Sequence, residues 1–173
     1  MKTSPEGRWG HPHQRCRAQE ALLTETGGEP LRCHLVETGG GLSLTVLWDR
    51  CMDIAHLSYR GISIPFLSPN GLGGRMADGF ERSFCGGMLY TCGLGNAGPA
   101  SQGHPMHGRV HFAAATERGV RCGEHTMELS GEMREAALFG QQWRLQRRLA
   151  LPIAKAASCF TTGLPTCPAK PSP

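Results

Sequence analysis

The sequence is short of three things: aromatic residues, long apolar runs and concentrated charge. No stretch approaches the roughly 18 consecutive apolar residues that span a bilayer, which excludes a transmembrane helix as an organising element. The first residues, MKTSPEGRWGHPHQRCR, carry no apolar core of the kind a secretory signal needs, so a cytoplasmic protein is expected. Eight cysteines (16, 33, 51, 85, 92, 122, 159 and 167) contain no C-x-x-C, which removes zinc-ribbon spacing and leaves free thiols as the expectation. Cys85 and Cys92 read as small buried hydrophobes. The net charge is only +4 and the arginines are scattered, Arg144, Arg147 and Arg148 being the one dense group; nucleic acid is not an expected partner. No membrane partner, cofactor or metal is expected either.

What the chain has instead is turn chemistry. Only 39% of residues are hydrophobic and 6% aromatic, against 24 Gly and 12 Pro, a balance that favours many short strands over long helices. Residues 1–30 are polar and without sustained period, apart from a helical turn that the pattern allows around Ala18–Leu23. Strand signals follow at Leu31–Glu37 and Leu42–Trp48, joined by Thr38-Gly39-Gly40-Gly41 as a hairpin. In LSLTVLW, Leu42, Leu44, Val46 and Trp48 alternate with Ser43, Thr45 and Leu47, so Leu47 is the one breach of a half-buried pattern. Leu57–Arg60, Ile62–Leu67, Met88–Cys92, Val110–Ala115, Met127–Ser130 and Trp143–Leu151 supply further short strands. Along the last, Trp143, Leu145, Arg147 and Leu149 share one face. The sum is an all-β, antiparallel sandwich.

Two segments stand out for chemistry. Asp49-Arg50-Cys51-Met52-Asp53 places three charges at the end of an apolar strand, where they must meet solvent, pair or face a site. Phe84–Val110, FCGGMLYTCGLGNAGPASQGHPMHGRV, is a string of glycine turns carrying Thr91, Asn96, Gln102, His104, His107 and Arg109, and reads as a pocket wall. His104, His107 and His111 have metal-like spacing, but Pro105 and Gly108 break the helix that would align them.

DRCMDIAHLSYRGISIPFLSPNG, FCGGMLYTCGLGNAGPA, HGRV and SGEMREAALFG, in this order, resemble the uncharacterised bacterial branch of the galactose mutarotase-like superfamily, the aldose 1-epimerase-like proteins. The resemblance runs from about residue 35 to 151 and implies a large two-layer antiparallel sandwich that binds a monosaccharide or sugar derivative on its concave face. It further implies anomer exchange, in which one group takes the anomeric hydroxyl proton while another protonates the ring oxygen. His107 resembles the sugar-site histidine; Arg109 offers a fork of donors to a hydroxyl or acidic substituent, and Asn96 both donates and accepts. No in-frame residue matches the catalytic glutamate that falls late in the family, and Glu132 is a candidate substitute base, with Arg134 on its face; Arg50 and Asp53 are further substrate-binding candidates. Against these stand plainer roles: a loop-capping His107, an Arg109–Glu132 ion pair, a turn-forming Asn96.

The organisation expected is a polar segment at 1–30, a partial sandwich at 31–151 that is incomplete at its C-terminal end, and an irregular Pro/Ala/Cys-rich tail at 152–173. Disorder explains that tail. So does a frameshift near residues 152–154, since a new frame from the third base of the Ala154 codon permits Glu-Ser-Arg-Leu-Leu-Leu-His-Asp-Arg-Val-Thr-Asn-Leu-Pro, which has strand-like alternation. A single uninterrupted frame through the resequenced locus would rule that out. Three functional expectations result: a sugar 1-epimerase, a carbohydrate-binding module without turnover, and a remnant with unpaired strand edges and no stable fold.

Overall fold

A computed structural model, which describes residues 10–24, 27–73 and 78–153, consists mainly of two antiparallel sheets. The first takes β1 (Arg17–Leu23), β2 (Leu31–Glu37), β3 (Leu42–Leu47), β4 (Asp53–Tyr59) and β5 (Ile62–Ser63), side by side in chain order. The second is β6 (Thr116–Cys122), β7 (Thr126–Ala136) and β8 (Gln142–Pro152). The only α-helix among the described residues is a single turn, α1 (Phe80–Ser83), and no helix among them is long and apolar enough to cross a membrane.

One core joins the sheets. Val36, Leu44, Val46 and Trp48 from the first pack with Met127, Leu129 and Met133 from β7, and Leu145, Leu149 and Leu151 of β8 complete the layer. The period of two along LSLTVLW is therefore the pattern of burial. Leu47, which breaks that pattern, is buried on the opposite face with Cys33 and Ala55. Gly131 of β7 sits at a close approach: a Cβ there would stand 3.2 Å from both Met52 Sδ and Ala115 Cβ, so these neighbours would have to give by a few tenths of an ångström.

Several expectations are corrected. Residues 17–23 are a strand rather than a helical turn, and its register runs the length of β2, from Arg17 opposite Glu37 to Leu23 opposite Leu31, so the segment before residue 30 is not uniformly irregular. Val110–Phe112 is a turn of 3-10 helix, not strand, and Met88–Cys92 contributes only an isolated bridge at Leu89. The strand β6 has few apolar residues to announce it. It exists because its backbone pairs with β7. The proposed frameshift tail lies outside the described residues beyond Ile153.

The turn between β3 and β4 positions everything that follows. Cys51 and Met52 both adopt left-handed backbone, at φ 51° and 56°, closing a turn in which Asp53 N–H donates to Arg50 C=O at 2.8 Å. Such backbone is costly for residues with a Cβ. Here burial over-determines it, since both side chains are fully enclosed. The connection from residue 113 to 115 braces the same corner, through Cys51 N–H to Ala113 C=O and Ala115 N–H to Trp48 C=O.

Candidate functional site

The three charges of Asp49-Arg50-Cys51-Met52-Asp53 leave the turn in three directions. Asp49 receives the side chain and backbone N–H of Arg32 at the mouth of a cleft of about 670 Å³. Arg50, buried, lays its guanidinium 4.6 Å over the Phe112 ring and donates to Leu72 C=O. Burial opposes its charge and lowers its pKa, while a cation over an aromatic face is partly compensated. Asp53 turns into the space between the sheets, only 2% exposed.

A carboxylate in such a place must be fully partnered. Asp53 accepts from Thr91 N–H at 2.8 Å, from the Thr91 hydroxyl through a very short bond, from His111 Nδ1 at 2.9 Å and from Arg147 at 2.8 Å. Arg147 also donates to Cys51 C=O at 2.7 Å and to Thr91 Oγ1 at 2.8 Å. Its position is set by register: opposite Gly131, between Leu145 and Leu149, it is the one charge on the apolar face of β8. The network thus ties β4, β8 and the residue-91 and residue-111 connections together.

His111 is the chemically open member. Its ring stacks on Tyr90 with centroids 3.9 Å apart and meets Phe112 edge-on. Burial lowers its pKa and outweighs the pull of Asp53 in the other direction, so the imidazole is neutral at pH 7. Nδ1 carries the proton toward Asp53, and the buried Nε2 has no hydrogen-bond partner among the described residues.

The loop that follows is braced from within. Asn96 spends its amide on the carbonyls of Gly98, Pro99 and Pro105, so its role here is that of a turn residue, though its backbone is not left-handed. His107, with φ at 60°, has Nδ1 3.0 Å from Ala97 C=O; a carbonyl only accepts, so Nδ1 bears the proton and Nε2 is available. Its ring lies 4.4 Å from that of Phe80, which reaches Tyr90 and hence His111, so both histidines border one aromatic cluster. Arg109 is exposed and lines a shallow depression with His104 and Gln102.

Glu132 and Arg134 do share a face, but it is the outer face of the second sheet, away from Met133 and the core. Glu132 pairs with Arg134 at 2.7 Å and takes a bond from Gln146, not from Arg109. The Arg134 hydrogen bond holds its carboxyl below the usual range. The geometry therefore groups Arg50 and Asp53 with His111, places His107 and Arg109 on the adjoining loop, and leaves Glu132 and Arg134 behind the sheet.

Residues 28–159 match the family described as a domain of unknown function (DUF4432). The chain belongs to that family. No curated protein and no solved structure matches it. The DUF4432 segment holds every residue of the Asp53 network and of the His107 loop, and begins after β1. Among the described residues of the chain no group of three or more His, Cys, Asp or Glu is placed to hold a metal ion.

Sequence singled out Thr91 only as part of a loop wall and His111 only for its spacing from His104 and His107, and it gave Arg147 no role in a site. A signal for Arg147 was present: a lone charge on an apolar strand face requires a buried counter-charge, and Asp53 was expected to bind substrate rather than to supply it. The His111 environment makes a pH prediction. Its folded pKa lies below its ordinary 6.5, so the unfolded chain takes up the proton first as pH falls. Stability is present above about pH 6.5 and is lost as pH drops through the folded value, at up to about 1.4 kcal/mol per pH unit. His34, also lowered by burial, adds to the same slope. Urea unfolding at pH 7.5, 6.5 and 5.5 is expected to show a shallower pH dependence in His111→Gln than in the parent; equal slopes would contradict the assignment.

Proposed function

We propose that this protein binds a monosaccharide or sugar derivative and exchanges its anomers, as the resemblance to aldose 1-epimerase-like proteins implies, and that it does so in the cytoplasm. The observation that supports this best is the state of His107. Its Nδ1 is committed to Ala97 C=O, its ring is half-exposed beside Phe80, and Nε2 is left to exchange a proton with a ring oxygen. Phe80 offers an apolar face to the C–H side of a pyranose, and Arg109, two residues on, offers donors to its hydroxyls.

Mutarotation needs a second proton-transfer group, and Glu132 is in a poor state to supply it. Clamped by Arg134 and facing away from the His111 side of the sheet, it is a weak base. That observation favours a second reading, a sugar-binding module without turnover. Saturation-transfer NMR with a panel of aldoses and ketoses separates the two. Anomer exchange above the uncatalysed rate, reduced about 10²- to 10⁴-fold in His107→Ala, is the expected result for a mutarotase. Saturation transfer to bound sugar without exchange supports the module. A folded sample that touches no sugar at millimolar concentration removes both readings.

A further inference from the structure

We propose that Cys16 and Cys122 form a redox couple, closing on oxidation into a disulfide that staples the two sheets together. Cys16 is buried and immediately precedes β1, at an edge of the five-stranded sheet; Cys122 is exposed and ends β6, at an edge of the three-stranded one. Although 106 positions apart in sequence, their sulfurs stand 2.9 Å from each other. A disulfide needs about 2.05 Å, so the sulfurs have only about a further 0.9 Å to close. No other pair of thiols is in contact among the described residues.

The approach is built in. These two edge strands share no backbone hydrogen bonds, yet side chains hold them side by side: Arg118 of β6 ion-pairs with Glu20 of β1 at 3.0 Å, and its guanidinium lies over Trp48 at 5.7 Å. On this side the sandwich is open between sheets, and the thiol pair is the point at which it could be covalently closed.

The accessibility of the two sulfurs orders the chemistry. Burial, followed by the contact with Cys122, pushes the Cys16 thiol up to about 11, so it stays protonated at neutral pH. Cys122 is the sulfur that an oxidant reaches. With hydrogen peroxide as the two-electron oxidant, its sulfur attacks one peroxide oxygen and the O–O bond breaks. This leaves a sulfenic acid on Cys122 and releases one water, which carries the thiol proton. Cys16 then attacks the sulfenic sulfur. The S–O bond breaks, the departing hydroxide takes the Cys16 proton as a second water, and the S–S bond forms. Both thiols are oxidised by one electron each and the peroxide is reduced to two waters.

A cross-link between positions so far apart in sequence restricts the unfolded chain strongly, so its effect on stability is large. The test is titration of the full-length protein with hydrogen peroxide, followed by peptide mapping without reduction and by thermal unfolding. A linked Cys16–Cys122 peptide, and a Tm raised by roughly 10 °C that dithiothreitol reverses, are expected. Both should be absent in Cys122→Ser and in Cys16→Ala. Three results would overturn the proposal: oxidation of Cys122 to the sulfinic acid with Cys16 still a thiol, linkage chiefly through Cys159 or Cys167, or a linked pair with Tm unchanged.

Discussion

Asp53→Ala is expected to cost the fold about 4 kcal/mol, because it strands a guanidinium that pairs with no other acid among the described residues, and leaves the His111 N–H without its acceptor. Arg147 is held between the sheets with a side-chain exposure of 15%, and its two remaining acceptors, Cys51 C=O and Thr91 Oγ1, are neutral. His111 loses the partner that fixes its tautomer. Removing one side of a buried charge pair is far more damaging than never having had it, since the survivor stays desolvated and uncompensated. For a chain of this length the change corresponds to a fall in Tm of roughly 10 °C. Thermal unfolding followed by circular dichroism checks it. The parent should unfold in one cooperative transition, which also excludes an unfolded remnant. Glu128→Ala, which breaks only the exposed pair with Arg148, is expected to leave the midpoint in place. Equal midpoints for the Asp53 and Glu128 variants would mean that the buried network does not hold β4 to β8. Pairing Asp53→Ala with Arg147→Leu sharpens the result: the double variant should recover part of the loss, because the unpaired charge is gone.

Gly108→Ala is expected to open the loop that carries His107 and Arg109. Gly108 has φ at 76°, which an alanine adopts at a cost of about 1–2 kcal/mol. The larger effect is contact. A Cβ at this position would overlap the carbonyl oxygen of Gly93 and come within 2.7 Å of that of Asn96. Gly93 belongs to the frame that positions His107: its N–H donates to His107 C=O at 2.9 Å and its C=O accepts from Val110 N–H. The Gly93 carbonyl cannot yield without disturbing these bonds, so the loss should reach about 3 kcal/mol or more, concentrated in the loop. Hydrogen exchange should show residues 93–110 losing protection while β7 keeps it. Sugar contact in the saturation-transfer experiment should fall with the loop. An unchanged protection pattern would show that the glycine is there for some other reason.

These two substitutions act on parts of the molecule that were unequally readable. The hairpin β2–β3, the inward set Leu42, Leu44, Val46 and Trp48, and the alternation along β8 follow from residue order. A period of two and a triple glycine are local facts, and the backbone obeys them wherever the strand ends up. The glycine turns of the Asn96 loop were legible for the same reason. β1 and β6 were hidden, since neither carries enough apolar residues to show a period; they are strands because β2 and β7 offer edges to pair with.

Residue order alone specifies an all-β chain, the strands with an apolar face, and two segments unusually dense in charge or glycine. Which charges meet depends on how the sheets pack. Asp53 lies 94 positions from Arg147 and 58 from His111, and Cys16 lies 106 from Cys122. No spacing rule reaches across such distances. The partners are chosen by the register of β8 against Gly131 and by the packing of one sheet on the other, and burial then turns that proximity into obligation, since a charge excluded from water must find its opposite.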